Sequence, residues 1–480
     1  MKYIKGNIEN GLTPITSSWM THLFQNGPLL KDVLHEYGSP ANIHHLDSFS
    51  ENVTVFKEAI EHYEIAYQIY YARKANKCVS LVKRAFELGI GVDTASFREL
   101  EQCVQLGGTA KNVVLTSAIK TPNQIKLAIQ HEIPIILDNL DEWNLTYKIA
   151  SELQKKAKVG LRMSGFTVEN EKLYSRFGFD IDMLVEDTIS ILEEEKYKDF
   201  IAIEGLHFHL DGYSTTQRGK ALSDCLSLAE KLVLRNIQIK FIDIGGGITM
   251  NYLESKEEWE AFTKNLQHAV LHHLPTGTFS NNGLGYKNIN GALEGKLNTY
   301  PFYNECNGID FLRNVLDFKD AAGHSNAYKL KKQNIQFRLE PGRSLLNQVG
   351  ITVAKVVHRK KDAKGQWLVG LDMNMSQMMS SSADFLLDPF VLYNENPSEE
   401  EVAVYFTGAY CLERDVLLKR KITLPQLPQI DDIVVFVNTA GYMMHFFETE
   451  AHLFELSSNL NFTQTEGNPS LENFTKDVEI

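Results

Sequence analysis

The sequence has 480 residues, enough for two domains with a sizeable core, and its 43% hydrophobic and 23% charged content is that of an ordinary soluble globular protein. A formal net charge of -13 argues against nucleic acid or an anionic membrane as the main partner. The five scattered cysteines (Cys78, Cys103, Cys225, Cys306, Cys411) form no Cys-x-x-Cys pair, so no metal site or disulfide framework is expected. With no apolar leader and no bilayer-length stretch, the expected location is the cytoplasm.

Residues 1 to about 47 are mixed, with Pro14, Pro28 and Pro40, and read as a lead-in. Apolar runs suited to buried strands then recur near 65–72, 90–93, 112–116, 134–138, 158–163, 202–209, 238–244 and 334–340. Helical periodicity falls between most of them, near 79–88, 97–106, 122–131, 141–156, 181–196, 218–234 and 256–274. Strands alternating with helices in this way predict an α/β chain with a parallel (β/α)8 TIM barrel, a doubly wound open sheet being the alternative. The stretch at about 275–333 is long and rich in Asn, Gly and Tyr, as lids and inserts tend to be. After about 347, short runs at 351–357, 367–371, 402–406 and 433–437 predict a mostly-β second domain. From about Ser457 the chain is polar and reads as a loose tail.

The polar residues in this pattern gather at strand ends. The run Ile65–Tyr71 delivers Lys74 where its strand stops, Asp93 closes the second strand, and Arg162 closes the fifth. His207 and His209 alternate at the end of the sixth and so face one side. Asp243-Ile244-Gly245-Gly246-Gly247 ends the seventh and Glu340-Pro341-Gly342-Arg343 the eighth. Singly, each has a plain structural reading: a surface lysine, satisfied core histidines, a flexible turn. Together they occupy one rim, the C-terminal face on which barrel enzymes react. Glycines let backbone N–H groups approach an anion, Arg343 adds a forked cationic donor, and barrel phosphate sites form after strands seven and eight. A phosphate cradle with a lysine and a carboxylate points to pyridoxal 5'-phosphate: Lys74 for the Schiff base, Glu340 for the pyridine nitrogen, His209 to stack on the ring.

The motifs Tyr71-Ala72-Arg73-Lys74-Ala75-Asn76, Asp93-Thr94-Ala95-Ser96 with Glu99, Arg162, Ser175-Arg176-Phe177-Gly178 and His207-Phe208-His209 continue through the two glycine segments to Cys411 with Asp415 and Ala440-Gly441-Tyr442. In this order they resemble the fold-type III pyridoxal-phosphate decarboxylases, the ornithine and diaminopimelate decarboxylase group. The resemblance implies an alanine racemase-like barrel at 45–347 with an insert at about 275–333, residues 1–44 and 348–480 forming the second domain. It implies that Gly245, Gly246, Gly247, Gly342, Arg343 and Tyr442 serve the cofactor and that Asp93 and Arg162 line its pocket. Cys411 would return a proton after carbon dioxide leaves and Asp415 would meet the amino-acid substrate. In this family both enter from the neighbouring subunit, so a homodimer with shared sites is implied.

The sequence departs from the pattern in places that concern ligands. Asp211-Gly212 follows His209 where the family has Gly-Ser, whose serine helps hold the phosphate. Leu412 stands where diaminopimelate decarboxylases have a glutamate, and Met378-Met379-Ser380-Ser381 lacks their distal arginine. Both argue against diaminopimelate and for another amino acid, basic or conjugated. A racemase on the same cofactor is the alternative, although alanine racemases of this fold place an arginine where Glu340 stands. A non-catalytic regulator is a third reading, opposed by Lys74, His209, Glu340 and Cys411 all being retained.

Overall fold

The computed structural model describes residues 2–184, 188–379, 385–395, 400–464 and 467–478. Eight parallel strands close on themselves: β1 (Tyr67–Ala72), β2 (Gly91–Thr94), β3 (Val113–Leu115), β4 (Ile135–Leu137), β5 (Ala157–Ser164), β6 (Ile201–His207), β7 (Phe241–Asp243) and β8 (Gln336–Leu339). Each falls on one of the apolar runs. Outward residues such as Val92, Leu115, Leu137, Leu161 and Ile242 are buried against the helices. Those helices include α1 (Val79–Glu87), α2 (Phe97–Gln105), α3 (Pro122–Gln130), α4 (Leu140–Leu153) and α5 (Thr215–Val233). Their starts are written locally: Ser96, Thr121, Asn139 and Ser214 each accept from an N–H of the first turn.

The barrel interior has two layers set by the period of two along each strand. In the lower one Tyr70, Val114, Ile136 and Phe241 pack together, with the Arg338 guanidinium 3.6 Å from the Phe241 ring centroid. Gly91 and Gly205 lie against Tyr70 and Phe241 so closely that a Cβ at either would collide with the ring. Two residues further along, seven of the eight strands turn polar: Asp93, Thr116, Asp138, Arg162, His207, Asp243 and Glu340 are all buried, while β1 has Ala72 at this level. Register supports this, since His207 pairs with both Arg162 and Asp243. The aromatic layer is thus a dry floor beneath a ring of charge.

Between β7 and β8 the chain departs from the expected pattern. Helix α6 (Lys256–Leu271) sends Leu266 into the core of the β domain, beside Leu12, Tyr300 and Phe302, not onto the barrel. The barrel is covered instead by α7 (Gly308–Asp317) and α8 (Asn326–Gln333), both inside the stretch expected to be insert. Phe311, Leu312, Val315 and Leu316 make α7 amphipathic, a signal that the surrounding Asn and Gly obscured. Of the expected helix at 181–196, helical turns are described at Ile181–Met183, Ile189–Leu192 and Glu195–Lys198, and residues 185–187 lie outside the described residues.

The second domain is built on β9 (Gly350–Lys361), flanked by β10 (Trp367–Leu371) and by β14 (Ile433–Val437), with β11 (Phe390–Tyr393), β12 (Val402–Thr407) and β13 (Ile422–Leu424) completing the path. Strands Lys2–Lys5 and Ala41–His44 join it, pairing with β11 and β9. Two helices, 18–25 and 27–37, pack on its face through Trp19, Met20, Phe24 and Val33. Among its described residues, the expected loose tail forms two strands. Ser458–Phe462 adds beside Ala41–His44, and Phe474–Lys476 follows it, because Leu460, Phe462 and Phe474 are buried among the polar residues. Asp477 then caps α1, accepting from the N–H groups of Val79 and Ser80 at 2.8 Å each.

Candidate active site

Lys74 lies in the single turn that follows β1, and its Nζ sits 3.4 Å from Oδ2 of Asp93. Ala72 pairs with Asp93 across β1 and β2, so Lys74 lies two residues above its partner's level. Burial by itself would lower the pKa of the amine, but Asp93, Tyr442 and Glu340 hold it above the ordinary lysine value. Asp93 in turn accepts from the Thr116 hydroxyl. Arg162 donates to the Thr116 carbonyl at 2.5 Å and to Asp138 Oδ1 at 2.9 Å. One continuous polar chain therefore runs from Lys74 to Asp138 beneath the mouth of the barrel.

On the other side, Nε2 of His207 lies 3.0 Å from Oε1 of Glu340. Burial pushes the His207 pKa well below its usual value, with the Arg162 charge adding to the effect, so the ring is neutral. Burial raises Glu340, while Lys74 and Arg162 pull it back. Asp243 spends Oδ1 on the Gly245 N–H at 2.9 Å and is raised well above the carboxylate range by burial and by Glu340. His207, Asp243 and Glu340 bring potential ligand atoms within 4.8 Å of one another, but burial and the neighbouring Glu340 charge raise Asp243 and so disfavour its ionised form, and we assign no metal to them.

Above this layer is a cavity of about 270 Å³ lined by Lys74, His209, Gly247, Gly342, Arg343 and Tyr442, among others. Its glycines are there for space. Gly247 has φ 80°, and a Cβ on Gly342 would come within 2.6 Å of the Tyr442 hydroxyl. Arg343 is held with its guanidinium 4.1 Å from the Tyr300 ring centroid and 5.3 Å from that of Tyr442, and it donates to the Gly441 carbonyl at 3.2 Å. Tyr442 donates its backbone N–H to Ala75 at 2.9 Å, tying the β domain to the turn that carries Lys74.

Lys74, His209, Gly247, Gly342, Arg343 and Tyr442 thus meet at one cavity, with Gly245 and Gly246 directly behind His209. Asp93, Arg162 and Glu340 lie below as its support rather than among its lining residues. Cys411 and Asp415 do not line it: Cys411 is exposed, and Asp415 is buried with its two oxygens accepting from the N–H groups of Met375 and Tyr410 at 2.8 and 2.7 Å. Ser380 and Ser381, in the segment without the distal arginine, fall outside the described residues. Sequence reasoning missed Thr116 and Asp138, which continue the inward spacing from Val114 and Ile136, and Tyr300. It also missed Arg218, whose neighbours Thr-Gln-Arg-Gly-Lys look like a solvated helix face.

An amine and a cationic, glycine-lined pocket in one cavity fit a ligand with an aldehyde and a phosphate, and a buried acid, Glu340, lies in the layer below that could serve a ring nitrogen. These features define a barrel-type pyridoxal-phosphate protein. Residues 46–281 match the family described as pyridoxal-dependent decarboxylase, pyridoxal binding domain. The matched domain, the similar proteins and the fold together support a fold-type III pyridoxal-dependent decarboxylase.

A protein of Sinorhizobium fredii described as uncharacterized protein y4yA is 27% identical over 472 residues, 97% of each chain. The diaminopimelate decarboxylase of Campylobacter jejuni is 24% identical over 442 residues, 90% of each chain. Among solved structures, the diaminopimelate decarboxylase of M. jannaschii superposes with a TM-score of 0.69 at 19% identity, covering 94% of this chain and 91% of that one. The lysine/ornithine decarboxylase of Vibrio vulnificus, complexed with cadaverine, gives 0.65 at 19% identity, covering 94% of this chain and all of the other.

Proposed function

We propose that this chain decarboxylates an amino acid, basic or conjugated, to an amine in the cytoplasm, using pyridoxal phosphate held by Lys74. The observation that carries the reading is Glu340, a buried carboxylate supported by His207 at 3.0 Å, which would pair with the ring nitrogen of the bound cofactor. Pyridoxal phosphate supplies an aldehyde that takes up amines and a ring that accepts an electron pair from a breaking bond at Cα. The protein supplies the rest. Glu340, if ionised, would hold a proton on the ring nitrogen, which would strengthen the electron sink and favour loss of carboxylate over the proton exchange of a racemase. Lys74 would hold the cofactor by its aldehyde, His209 would cover the ring face, and Gly245, Gly246, Gly247, Gly342, Arg343 and Tyr442 would hold the phosphate.

Cys411 is the proposed proton donor to the substrate carbon, and Asp415 stands beside the substrate. Neither lines the cavity of its own chain, so the reading requires a second subunit to bring the exposed 411 loop to the site. Relatives with printed activities act on diaminopimelate, lysine or ornithine, which supports a diamino acid or its conjugate as the substrate class. The test is carbon dioxide release from a panel of L- and D-diamino acids and their conjugates by the cofactor-loaded protein, with Lys74→Ala as control. Release from one substrate, lost in the control, supports the reading; racemisation of a substrate without release overturns it.

A further inference from the structure

Arg218, in the first turn of α5, is fully buried, and among the described residues no carboxylate reaches ion-pairing distance of it. Its Nη1 donates to the Gly212 carbonyl at 3.0 Å and its Nη2 to the Leu210 carbonyl at 3.1 Å. Among the described residues its Nε has no hydrogen-bond partner, and the guanidinium carbon lies 5.5 Å from the Phe311 ring centroid of α7. A Cβ on Gly247 would collide with Nη2, so the guanidinium sits directly against the third glycine of the cradle. Burial lowers its pKa to about 10, with Tyr213 and Asp211 opposing, so it remains a cation at neutral pH. Burying such a charge without a counter-ion is costly. Two carbonyl oxygens offset that cost only in part, which makes the site receptive to an anion nearby.

The hydrogen bonds also decide how the turn after His209 presents itself. In a planar trans peptide the carbonyl and the next N–H point to opposite sides. With the Leu210 and Gly212 carbonyls drawn onto Arg218, the N–H groups of Asp211 and Tyr213 turn away from it, and Asp211, Gly212 and Tyr213 all line the cavity. The serine that similar enzymes carry here is absent.

We propose that Arg218 is the positioning residue of the phosphate cradle: it sits behind Gly247, draws the Leu210 and Gly212 carbonyls onto itself so that the Asp211 and Tyr213 N–H groups turn toward the cofactor phosphate, and replaces the missing serine. The proposal rests on pyridoxal phosphate as the ligand. It is tested by comparing the Kd for pyridoxal phosphate with that for pyridoxal, which lacks the phosphate, in wild type, Arg218→Lys and Arg218→Met. Loss of a charge-assisted cradle predicts that Arg218→Met weakens pyridoxal phosphate by about tenfold or more while pyridoxal is held within about twofold, Arg218→Lys falling between. A merely structural arginine would move both ligands together, and that result overturns the proposal, as does no change in either. If Arg218→Met does not fold, Arg218→Lys decides alone: an unchanged ratio of the two Kd values overturns it. Wild-type protein that binds neither ligand overturns the cofactor assignment and the proposal with it.

Discussion

Nε2 of His207 and Oε1 of Glu340 lie 3.0 Å apart across β7, joining the ends of β6 and β8 in the floor of the site. A neutral imidazole donating Nε2–H there holds one carboxylate oxygen and leaves the other for a ligand. Removing the donor in His207→Leu should therefore lower kcat roughly tenfold with little change in KM, as loss of an orienting hydrogen bond does elsewhere. Steady-state kinetics on the loaded enzyme check this; a change confined to KM would contradict the role. Glu340→Gln should retain the cofactor but lose about a hundredfold or more in turnover.

Lys74 should react according to its neighbours. Its pKa is raised despite burial, chiefly by Asp93, so its amine is protonated at neutral pH in the free protein. Asp93→Asn removes that charge and should shift the pH profile of the reaction with pyridoxal down by about one unit or more. An unchanged profile in stopped-flow absorbance would show that Asp93 does not set the amine's protonation.

His44 ties the tail to the barrel. Its Nδ1 lies 3.3 Å from the Leu460 carbonyl and its Nε2 lies 3.0 Å from Asn76 Nδ2, so the ring is neutral, donating at one nitrogen and accepting at the other. Burial lowers its pKa from 6.5 to about 4, against a smaller opposing pull from Asp477. As pH falls from 6.5 to 4 the unfolded chain takes up a proton that the folded chain refuses, so stability falls, by at most about 1.4 kcal/mol per pH unit from this residue. The Tm of His44→Gln should fall less steeply than that of wild type over this range. Parallel slopes would contradict the assignment.

Gly205→Ala places a Cβ against the Phe241 ring in the lower barrel layer. Overpacking of this kind costs about 1–3 kcal/mol, and shortening the ring in Gly205→Ala/Phe241→Leu should return part of it. Thermal unfolding of the single and double variants reads the coupling directly.

The barrel was legible because its strands are mostly buried and mostly apolar, and the rim because Lys74, Asp93, His207 and Glu340 fall at the ends of those apolar runs. What sequence hid has physical reasons. Helix α7 lies among Asn and Gly residues that mask its apolar face, and the tail's core contacts, Leu460, Phe462 and Phe474 with Leu471 partly buried, are sparse among polar residues. Arg218 resembles a surface residue until α7 is seen to cover it, because its burial depends on contacts distant in sequence. The support given by Asp138 and Thr116 was readable from the inward spacing that follows Ile136 and Val114, had the period of two been carried one step past each strand.

The most direct test is to mix the purified protein with one equivalent of pyridoxal phosphate, reduce with borohydride, and map the modified peptide by mass spectrometry. The account predicts one labelled lysine, Lys74, the lysine that lines the cavity. Label at a different lysine, or none, would contradict the account and remove the basis for every role assigned around it.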